Sequence, residues 1–316
     1  MKKKIKVIYI GGSGRSGSTV LTKLLNFWPG LIGVNEICYL WEYGIQANHP
    51  VSDGTLFNES DFWNQVLASV YTNRPIERQQ VDFFAHTSQV GLKNLILNYY
   101  LNRPLNNESR AYAQTLKNLY ASVLKVSGEQ YVIDSSKTPD YAFFLSRLKS
   151  VDMVLLHLVR DPRGVAYSWG KKFIRNDVRT DTKLSMTSFG IVKATLRWIK
   201  WNIGCELVGR RPNVRYLRVR YEDFVKNPQE VLDDITVALG LPIYPPHYHF
   251  EEGKFYDQHG TKDISIWGNP IVRTISGSVK VNADNEWRGN LSTIKKLQVT
   301  LLTFPLLFRY GYKLLS

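Results

Sequence analysis

The sequence predicts an α/β fold, with a central parallel sheet flanked by helices. Several short runs of apolar, mostly β-branched residues are separated by stretches of helical periodicity. Near-continuous apolar strands of this kind are typical of a parallel sheet that helices cover on both faces. The length of 316 residues and the hydrophobic content of 44% suit one large α/β domain or two small ones, with a sizeable core in either case. We expect a single domain over residues 1–316.

The first predicted strand is the apolar run Ile5–Ile10, which leads into a Gly/Ser-rich loop at residues 11–19. A helical pattern follows from Val20. A loop that joins a strand to a helix N-terminus directs backbone N–H groups and the positive end of the helix dipole at one point. This segment therefore predicts an anion-binding site.

The loop fits a phosphate-binding P-loop in its spacing from Gly12 to Thr19. It differs at one position, because an ATPase or GTPase has Lys where this chain has Ser18. The positive charge lies earlier in the loop, at Arg15. We therefore predict a P-loop-like nucleotide-binding core that binds a phosphate-like group but does not hydrolyse ATP in the usual way.

A different composition marks residues 42–128, which are aromatic, rich in Asn and mostly helical in pattern. We interpret them as a helical cap inserted between two strands of the sheet, where an acceptor would bind. The basic and polar stretch 171–188 has little periodicity and is predicted to be a mobile loop.

Polar residues directly follow three later apolar runs. The runs and their polar ends are Tyr131–Ile133 with Asp134–Lys137, Val151–Val159 with Arg160, and Val214–Val219 with Arg220. Ligands gather at the carboxyl ends of the strands in parallel sheets. We therefore expect these residues to converge on one crevice with the Gly/Ser-rich loop.

The C-terminal run Val299–Tyr312 is apolar but is broken by Pro305 and Arg309. We interpret it as a helix docked on the core and followed by a turn, with an interfacial membrane anchor as the alternative. At the other end, the apolar run after Met1–Lys4 is shorter than the ~7–15 residues of a signal peptide, which favours a buried strand. No stretch approaches the ~18 apolar residues of a membrane span. We therefore expect a cytoplasmic protein without a transmembrane segment, with peripheral membrane contact left open.

The chain has 41 Lys and Arg against 27 Asp and Glu, a net charge of +14. This balance implies an anionic partner: a nucleotide, a nucleic acid, an acidic or sulfated substrate, or a membrane surface. The basic residues are scattered and form no known nucleic-acid-binding module, so no nucleic acid is expected. The scattered His and Cys residues indicate no metal site, and Cys38 and Cys205 imply no disulfide framework and a reducing compartment. The sequence does not indicate an oligomeric state.

A family resemblance rests on three segments. Residues Gly14–Thr19 resemble the 5′-phosphosulfate loop of sulfotransferases that use 3′-phosphoadenosine 5′-phosphosulfate (PAPS), in the version found in carbohydrate, tyrosylprotein and many bacterial enzymes. Arg160 and Ser168, eight positions apart, resemble the family's 3′-phosphate motif. Tyr221–Phe224 is similar to a recurrent family segment, and the segments occur in the family's order between residue 5 and about residue 240.

The resemblance implies which residues bind PAPS and its product, 3′-phosphoadenosine 5′-phosphate (PAP). The 5′ end would be bound by Gly14, Arg15, Ser16, Gly17, Ser18 and Thr19. The 3′-phosphate would be bound by Arg160, Ser168 and Arg273, the last of which belongs to a late loop at residues 268–273. A planar, bidentate contact from Arg160 suits phosphate, and a cation at Arg15 suits the charge that develops on the leaving group. The structural alternative for Arg160 is an ion pair with Asp161 or another carboxylate.

The resemblance also implies catalytic residues. In related enzymes, a Glu at the place of Glu36 acts as the base that accepts the proton of the acceptor hydroxyl. Lys137 would contact the sulfuryl oxygens. His86 and His259 are alternatives to Glu36 as the base. The alternative for the segment Asp134–Lys137 is a structural role, as a helix N-cap around Ser136.

We therefore predict a sulfotransferase that transfers a sulfuryl group from PAPS to a hydroxyl or amine by in-line displacement, with Glu36 as general base and no metal. The acceptor would be a small molecule, a glycan or a lipid. One alternative is a P-loop kinase-like nucleotide phosphotransferase, against which Ser18 counts. The other is a non-catalytic polyanion-binding protein.

Overall fold

A five-stranded parallel sheet forms the centre of the protein, as predicted. The computed structural model describes residues 4–71, 77–87, 107–172, 175, 187–241, 247–261, 263–273, 275 and 277–314. The strands of this sheet are β1 (Ile5–Gly12), β2 (Leu31–Asn35), β3 (Tyr131–Lys137), β4 (Val151–Val159) and β5 (Val214–Arg220), in the spatial order β2-β3-β1-β4-β5.

Helices connect and cover these strands. In the described parts of the chain they are α1 (Ser18–Leu25), α2 (Asp61–Tyr71), α3 (Arg78–Thr87), α4 (Asn107–Ser127), α5 (Pro139–Ser146), α6 (Pro162–Gly170), α7 (Ile191–Gly209), α8 (Tyr221–Lys226), α9 (Pro228–Leu239), α10 (Pro270–Arg273), α11 (Trp287–Asn290) and α12 (Thr293–Arg309). Short helical turns of other types span Ile37–Tyr39, Leu40–Gln46 and Phe57–Glu59.

The alternation of side chains along β1 builds two separate cores. Val7 and Tyr9 point into the core that the cap helices and α7 cover, whereas Ile8 and Ile10 point into the core that α1 and α9 cover. Successive residues of a strand face opposite sides of the sheet, so a strand buried on both faces is apolar throughout. This explains why the sequence of β1 does not alternate between apolar and polar residues.

The strand order creates a crevice beside β1. β1 lies between β3 and β4, so the chain crosses over β1 when it passes from β3 to β4. Ligands bind at such switch points in open α/β sheets, outside the carboxyl ends of the strands. The loop after β1 and the ends of β3 and β4 therefore meet at one place, as the sequence predicts.

The described part of residues 42–128 is largely helical, which agrees with the predicted cap. Trp41, Phe84 and Tyr112 pack together in its core, with ring centres 4.8 Å apart for Trp41 and Phe84 and 5.1 Å apart for Phe84 and Tyr112. The buried indole of Trp63 donates a hydrogen bond to the main-chain oxygen of Ile264 at 2.9 Å. This bond attaches the cap to the C-terminal part of the chain.

A second, antiparallel sheet was not predicted. Its strands are β6 (Tyr248–Glu251), β7 (Lys254–Asp257) and β8 (Ser278–Lys280). These strands have only three or four residues each, too few for a period-2 pattern to stand out. Tyr248, Phe255 and Val279 bury their side chains against the core beside α1 and α9.

Two other predictions concern the C-terminal helix and the loop at residues 171–188. The C-terminal helix α12 docks on the core and is followed by a turn, as predicted. Most of the predicted mobile loop at 171–188 lies outside the described residues. Among the helices that the structure describes, none has the length and hydropathy needed to cross a membrane.

Candidate active site

The loop between β1 and α1 has a backbone that requires glycine at several positions. Gly12 and Gly17 have φ angles of 126° and 89°, in the region that favours glycine. A Cβ atom on Gly14 would lie 2.7 Å from Trp169 Cζ2, and one on Gly17 would lie 3.0 Å from the Tyr221 ring. The glycines therefore let the loop approach two aromatic side chains closely.

The same loop presents hydrogen-bond donors suited to an anion. Among the described residues, no side chain caps the N-terminus of α1, where Leu21 N donates to Gly17 O at 3.0 Å. The first N–H groups of a helix have no partner within the helix. The Ser16 hydroxyl is buried and has no hydrogen-bond partner within the described structure. A buried, unsatisfied hydroxyl beside uncapped N–H groups fits the phosphate-like end of a nucleotide.

Arg15 places a cation at the side of this loop. Its guanidinium lies 5.1 Å from the centre of the Trp169 ring. Burial lowers the pKa of Arg15, while the nearby Glu36 carboxylate acts in the opposite direction. The main-chain oxygen of Arg15 accepts a hydrogen bond from Arg160 Nη1 at 2.8 Å. The loop and the end of β4 are therefore tied together at Arg15.

Glu36 and Lys137 form an ion pair at the ends of β2 and β3. Lys137 Nζ lies 2.5 Å from Glu36 Oε1, and each side chain is only 12% exposed. Lys137 Nζ also donates to the main-chain oxygen of Ser135 at 3.0 Å. This pair brings together two residues that are about a hundred positions apart in the sequence, and both had been singled out as catalytic.

Three non-glycine residues of this region have left-handed backbones. They are Arg15 (φ 70°), Asn35 (φ 56°) and Lys137 (φ 68°), at or after the ends of β1, β2 and β3. Such conformations cost of order 1–3 kcal/mol each and cluster at functional sites. Their convergence here supports the assignment of this crevice as the active site.

A buried network holds the segment that carries Glu36. Asp134 accepts hydrogen bonds from the main-chain N–H of Ser136 at 2.8 Å and from the Tyr120 hydroxyl at 2.5 Å. Ser136 Oγ accepts from Cys38 N at 3.1 Å, two residues after Glu36. Burial raises the pKa of Asp134 to about 6, and its hydrogen bonds act in the opposite direction.

This network corrects one alternative from the sequence. The N-cap residue of α5 is Thr138, not Ser136, because Ser136 still belongs to β3. The hydroxyl of Ser136 instead donates to Asp134 Oδ1 at 2.5 Å. Ser136 therefore positions the neighbouring chain rather than starting the helix.

Arg160 lies in a second cavity, together with Ser168. This cavity has a volume of about 200 Å³ and is also lined by Tyr221 and Asp284. Arg160 Nη2 donates to the main-chain oxygen of Asp284 at 2.8 Å and lies 3.1 Å from its Oδ2. The guanidinium lies 4.4 Å from the centre of the Tyr221 ring.

Arg160 forms the ion pair that the structural alternative allowed, with Asp284 rather than with Asp161. Asp161 pairs with Arg163 at 2.7 Å, and its Oδ1 caps α6 by accepting from Arg163 N at 2.9 Å. Arg160 is paired with Asp284, which lies 124 positions away in the sequence. No local sequence pattern indicates a contact over such a separation.

The loop cavity is the larger of the two and adjoins the second. It has a volume of about 560 Å³ and is lined by the Gly/Ser-rich loop, Glu36, Ser136 and Lys137. Arg15, Gly17, Val20 and Asn269 line both cavities. The arrangement suits an extended ligand with two anionic ends, one in the loop and one at Arg160.

One side of the larger cavity is an aromatic wall around Trp267, which was not predicted from the sequence. The Trp267 ring lies 4.0 Å from the Tyr43 ring and 3.4 Å from the Arg175 guanidinium, measured to ring centres. Two groups so close to one ring centre must occupy opposite faces of the ring. Arg197 adds a second cation, 4.1 Å from the Trp201 ring centre. One feature of the sequence indicates this wall: Trp267 lies immediately before Gly268, where the Gly-rich stretch begins.

Arg273 is not brought to the 3′-phosphate cavity. Its side chain is buried, with Nη1 donating to Ile266 O at 2.6 Å and Nη2 donating to Pro50 O. The late loop does reach the site through another residue, because Asn269 N donates to Thr19 Oγ1 at 3.2 Å. The segment therefore contacts the Gly/Ser-rich loop through Asn269, whereas Arg273 does not take the expected place.

One histidine alternative for the base, His259, is not among the residues that line the cavity. His259 is exposed and stacks on His247, with ring centres 4.1 Å apart. The side chain of His86 lies outside the described residues. The described residues also contain no group of His, Cys, Asp and Glu side chains that would hold a metal ion.

Comparison with known proteins gives a family and a fold. Residues 8–246 match the family model described as the sulfotransferase family. The sulfotransferase domain from the Synechococcus PCC 7002 olefin synthase is 18% identical, with 99% of this chain and 97% of that chain covered and a TM-score of 0.53. The sulfotransferase domain from the curacin biosynthetic pathway is also 18% identical, with 99% of each chain covered and a TM-score of 0.50. At this level of identity the two structures establish similarity of fold. The curated proteins gave no match in sequence.

Proposed function

The chain belongs to the sulfotransferase family, and we propose that it transfers a sulfuryl group from PAPS to a hydroxyl or amine, with Glu36 as general base. One observation carries this proposal: a single cavity is lined by the anion-binding loop, Glu36 and Lys137. A donor bound in the loop and an acceptor beside Glu36 would meet in that cavity. Proximity of this kind is a large part of the catalysis of group transfer.

The donor would occupy both cavities. Backbone N–H groups of Gly14–Thr19 and the hydroxyls of Ser16, Ser18 and Thr19 would hold its 5′ end. Arg160 and Ser168 would hold its 3′-phosphate in the adjoining cavity. The unsatisfied Ser16 hydroxyl and the uncapped start of α1 support this placement.

Three residues would carry the chemistry. The acceptor oxygen forms a bond to sulfur as the bond from sulfur to the 5′-phosphate oxygen breaks, and Glu36 takes the acceptor's proton. Arg15 would stabilise the negative charge that grows on the departing PAP. Lys137 would orient Glu36 through their 2.5 Å ion pair and would face the sulfuryl oxygens. This scheme uses no metal ion.

The acceptor would bind against the aromatic wall around Trp267. Aromatic side chains with a few cations suit small molecules, glycans or lipid headgroups that carry a hydroxyl. We also propose a cytoplasmic location, which the buried, free cysteines Cys38 and Cys205 support.

A transfer assay with labelled donor tests the proposal. PAPS labelled with sulfur-35 is incubated with the protein and a small-molecule extract of the source cells, and labelled products are separated. We expect a labelled product with the wild type and almost none with Glu36→Gln, while both proteins bind PAP equally. Glu251→Gln, which removes an exposed carboxylate of β6, is the matched control and should keep full activity.

Two results would contradict the proposal at different points. Normal labelling by Glu36→Gln would remove Glu36 as the base but leave sulfuryl transfer intact. Failure of the wild type to label any extract fraction, although it binds PAP, would reject the transfer reaction itself.

A further inference from the structure

Exposed apolar side chains are concentrated on one surface of the protein. Along α12, Ile294, Leu297, Leu301, Phe304 and Phe308 are 81%, 55%, 66%, 46% and 61% exposed. Their spacing of three and four residues places all five on one side of the helix. Soluble monomers rarely leave so long an apolar stripe in contact with water.

The stripe continues onto α7. Val192, Leu196 and Ile203 of that helix are 43%, 53% and 38% exposed and share one side of it. The two helices run side by side in the same direction. Near their starts Ala194 packs with Val299, and near their ends Arg309 Nε donates to Glu206 Oε1 at 2.6 Å. We call this combined surface, formed by the five residues of α12 and the three of α7, the α7–α12 face.

Docking of α12 on the core does not account for its exposed side. Val299, Thr303 and Leu307 are buried on the opposite side of the helix. The helix is therefore apolar on two sides, and within the described part of the chain only one of them is covered. A helix that is apolar all round normally has a partner on each side.

The C-terminal segment that carries α12 has only basic residues among its charged residues. Residues 287–316 contain five basic and no acidic residues. Lys193 and Lys295 are exposed and directly follow Val192 and Ile294 of the face in the sequence, and Glu206 is already paired with Arg309. The whole chain carries a net charge of +14. The partner of this face must therefore be apolar and bordered by negative charge.

A second copy of the chain fits these features poorly. The segment that carries α12 contains no acidic residue, so a second copy docked through this face would bring no carboxylate side chain from that segment to pair with the lysines. In coiled coils, the charged residues that flank the apolar heptad stripe normally determine which helices pair and in which orientation. The corresponding positions here are Gln298, Thr300, Pro305 and Leu307, none of which is charged, and Thr300 and Leu307 are buried in their own protein.

We propose that the α7–α12 face binds the surface of an anionic lipid bilayer. The apolar side chains enter the boundary between headgroups and acyl chains, and Lys193 and Lys295 contact the lipid phosphates. α12 has 17 residues, fewer than the ~20 of a membrane span, so it lies along the surface. This proposal does not depend on sulfuryl transfer.

Sedimentation with lipid vesicles tests the proposal. The full chain is mixed with vesicles of pure phosphatidylcholine or of equal parts phosphatidylcholine and phosphatidylglycerol. We expect binding to the anionic vesicles, weakened by salt. Lys193→Gln with Lys295→Gln should lower partitioning about 25-fold, at roughly fivefold for each lysine. Leu301→Gln and Phe308→Gln should each lower it by at least about tenfold.

Matched controls separate the face from general effects. Val237→Gln removes a side chain that is 75% exposed on α9, and Lys226→Gln removes an exposed charge on α8; neither should change binding. Circular dichroism and PAP titration show whether each variant remains folded, which keeps this test separate from the proposed enzyme activity.

Three results would overturn the proposal. One is absence of binding to the anionic vesicles, and another is equal binding to neutral vesicles. The third is a wild-type dimer that Leu301→Gln converts to a monomer in sedimentation velocity, since the occupant of the face would then be a second copy.

Discussion

Replacement of Asp284 by Asn is expected to tighten PAP binding about tenfold. Asp284 Oδ2 lies 3.1 Å from Arg160 Nη2, in the cavity that we assign to the 3′-phosphate. A carboxylate at this place repels a phosphate and competes for the same guanidinium. The main-chain oxygen of Asp284 accepts from Nη2 at 2.8 Å, and this bond survives in the variant. Arg160 should therefore keep its position.

The magnitude follows from Coulomb's law. Two unit charges ~6 Å apart interact by about 3 kcal/mol at an effective dielectric constant of ~20. The Asp284 side chain is 31% exposed, so we reduce this repulsion by about half to account for solvent screening. The remaining ~1.4 kcal/mol corresponds to about a tenfold change in Kd.

The assay is calorimetric titration of PAP and of adenosine 5′-phosphate, which lacks the 3′-phosphate. The gain in affinity should appear with PAP alone and should shrink at high salt. Asp152→Asn is the matched control, because Asp152 pairs with Arg215 at 3.6 Å at the opposite end of β4. Unchanged or weaker PAP binding by Asp284→Asn, or an equal gain with adenosine 5′-phosphate, would refute a 3′-phosphate site at Arg160.

Three further predictions concern stability. Lys137→Gln should lower the free energy of unfolding in urea by about 3 kcal/mol, because it leaves the Glu36 carboxylate buried without its ion pair. A second change, Glu36→Gln, should recover most of that loss but no activity. Gly14→Ala should lower Tm and PAP affinity together, since its Cβ would lie 2.7 Å from Trp169, with an overpacking cost of about 1–3 kcal/mol. Burial lowers the pKa of His157 to about 4 from 6.5, so its contribution to stability should be complete above pH 6.5 and fall by about 3 kcal/mol as the pH drops to about 4.

Each of these predictions has a control that isolates its cause. If the Lys137→Gln loss persists in full in the double variant, the ion pair is not its origin. Gly289→Ala adds a Cβ with no atom within 4 Å and should lower neither Tm nor PAP affinity. For His157, the relevant quantity is the pH dependence of the difference between wild type and His157→Gln. Asp134, whose pKa burial raises to about 6, titrates in both proteins and cancels.

The sheet and the loop were predictable because their signals are local. Ile5–Ile10 is apolar at every position except Lys6 and Tyr9, and the glycines of the following loop stand where the backbone demands them. The structure extends β1 to Gly12 and β3 to Lys137, so strand ends were placed a few residues early. The first polar residue ends the apolar pattern in the sequence, even where the strand itself continues.

The less predictable parts depend on long-range contacts. Asp284 reaches Arg160 over 124 positions, and Trp267 meets Tyr43 through the folding of the C-terminal part over the cap. Arg273 lies in the segment expected to reach the site, but its guanidinium bonds main-chain oxygens of the core instead. Neither spacing nor composition distinguishes an arginine that binds a ligand from one that binds its own backbone.

The most direct test of the central claim is calorimetric binding of PAP, ADP and ATP to the wild type, with and without Mg²⁺. We predict that PAP binds most tightly, that its affinity requires the 3′-phosphate, and that Mg²⁺ has no effect. Preference for ATP together with Mg²⁺ would contradict the sulfotransferase assignment of this loop and would make Ser18 an unusual residue of a kinase-like P-loop.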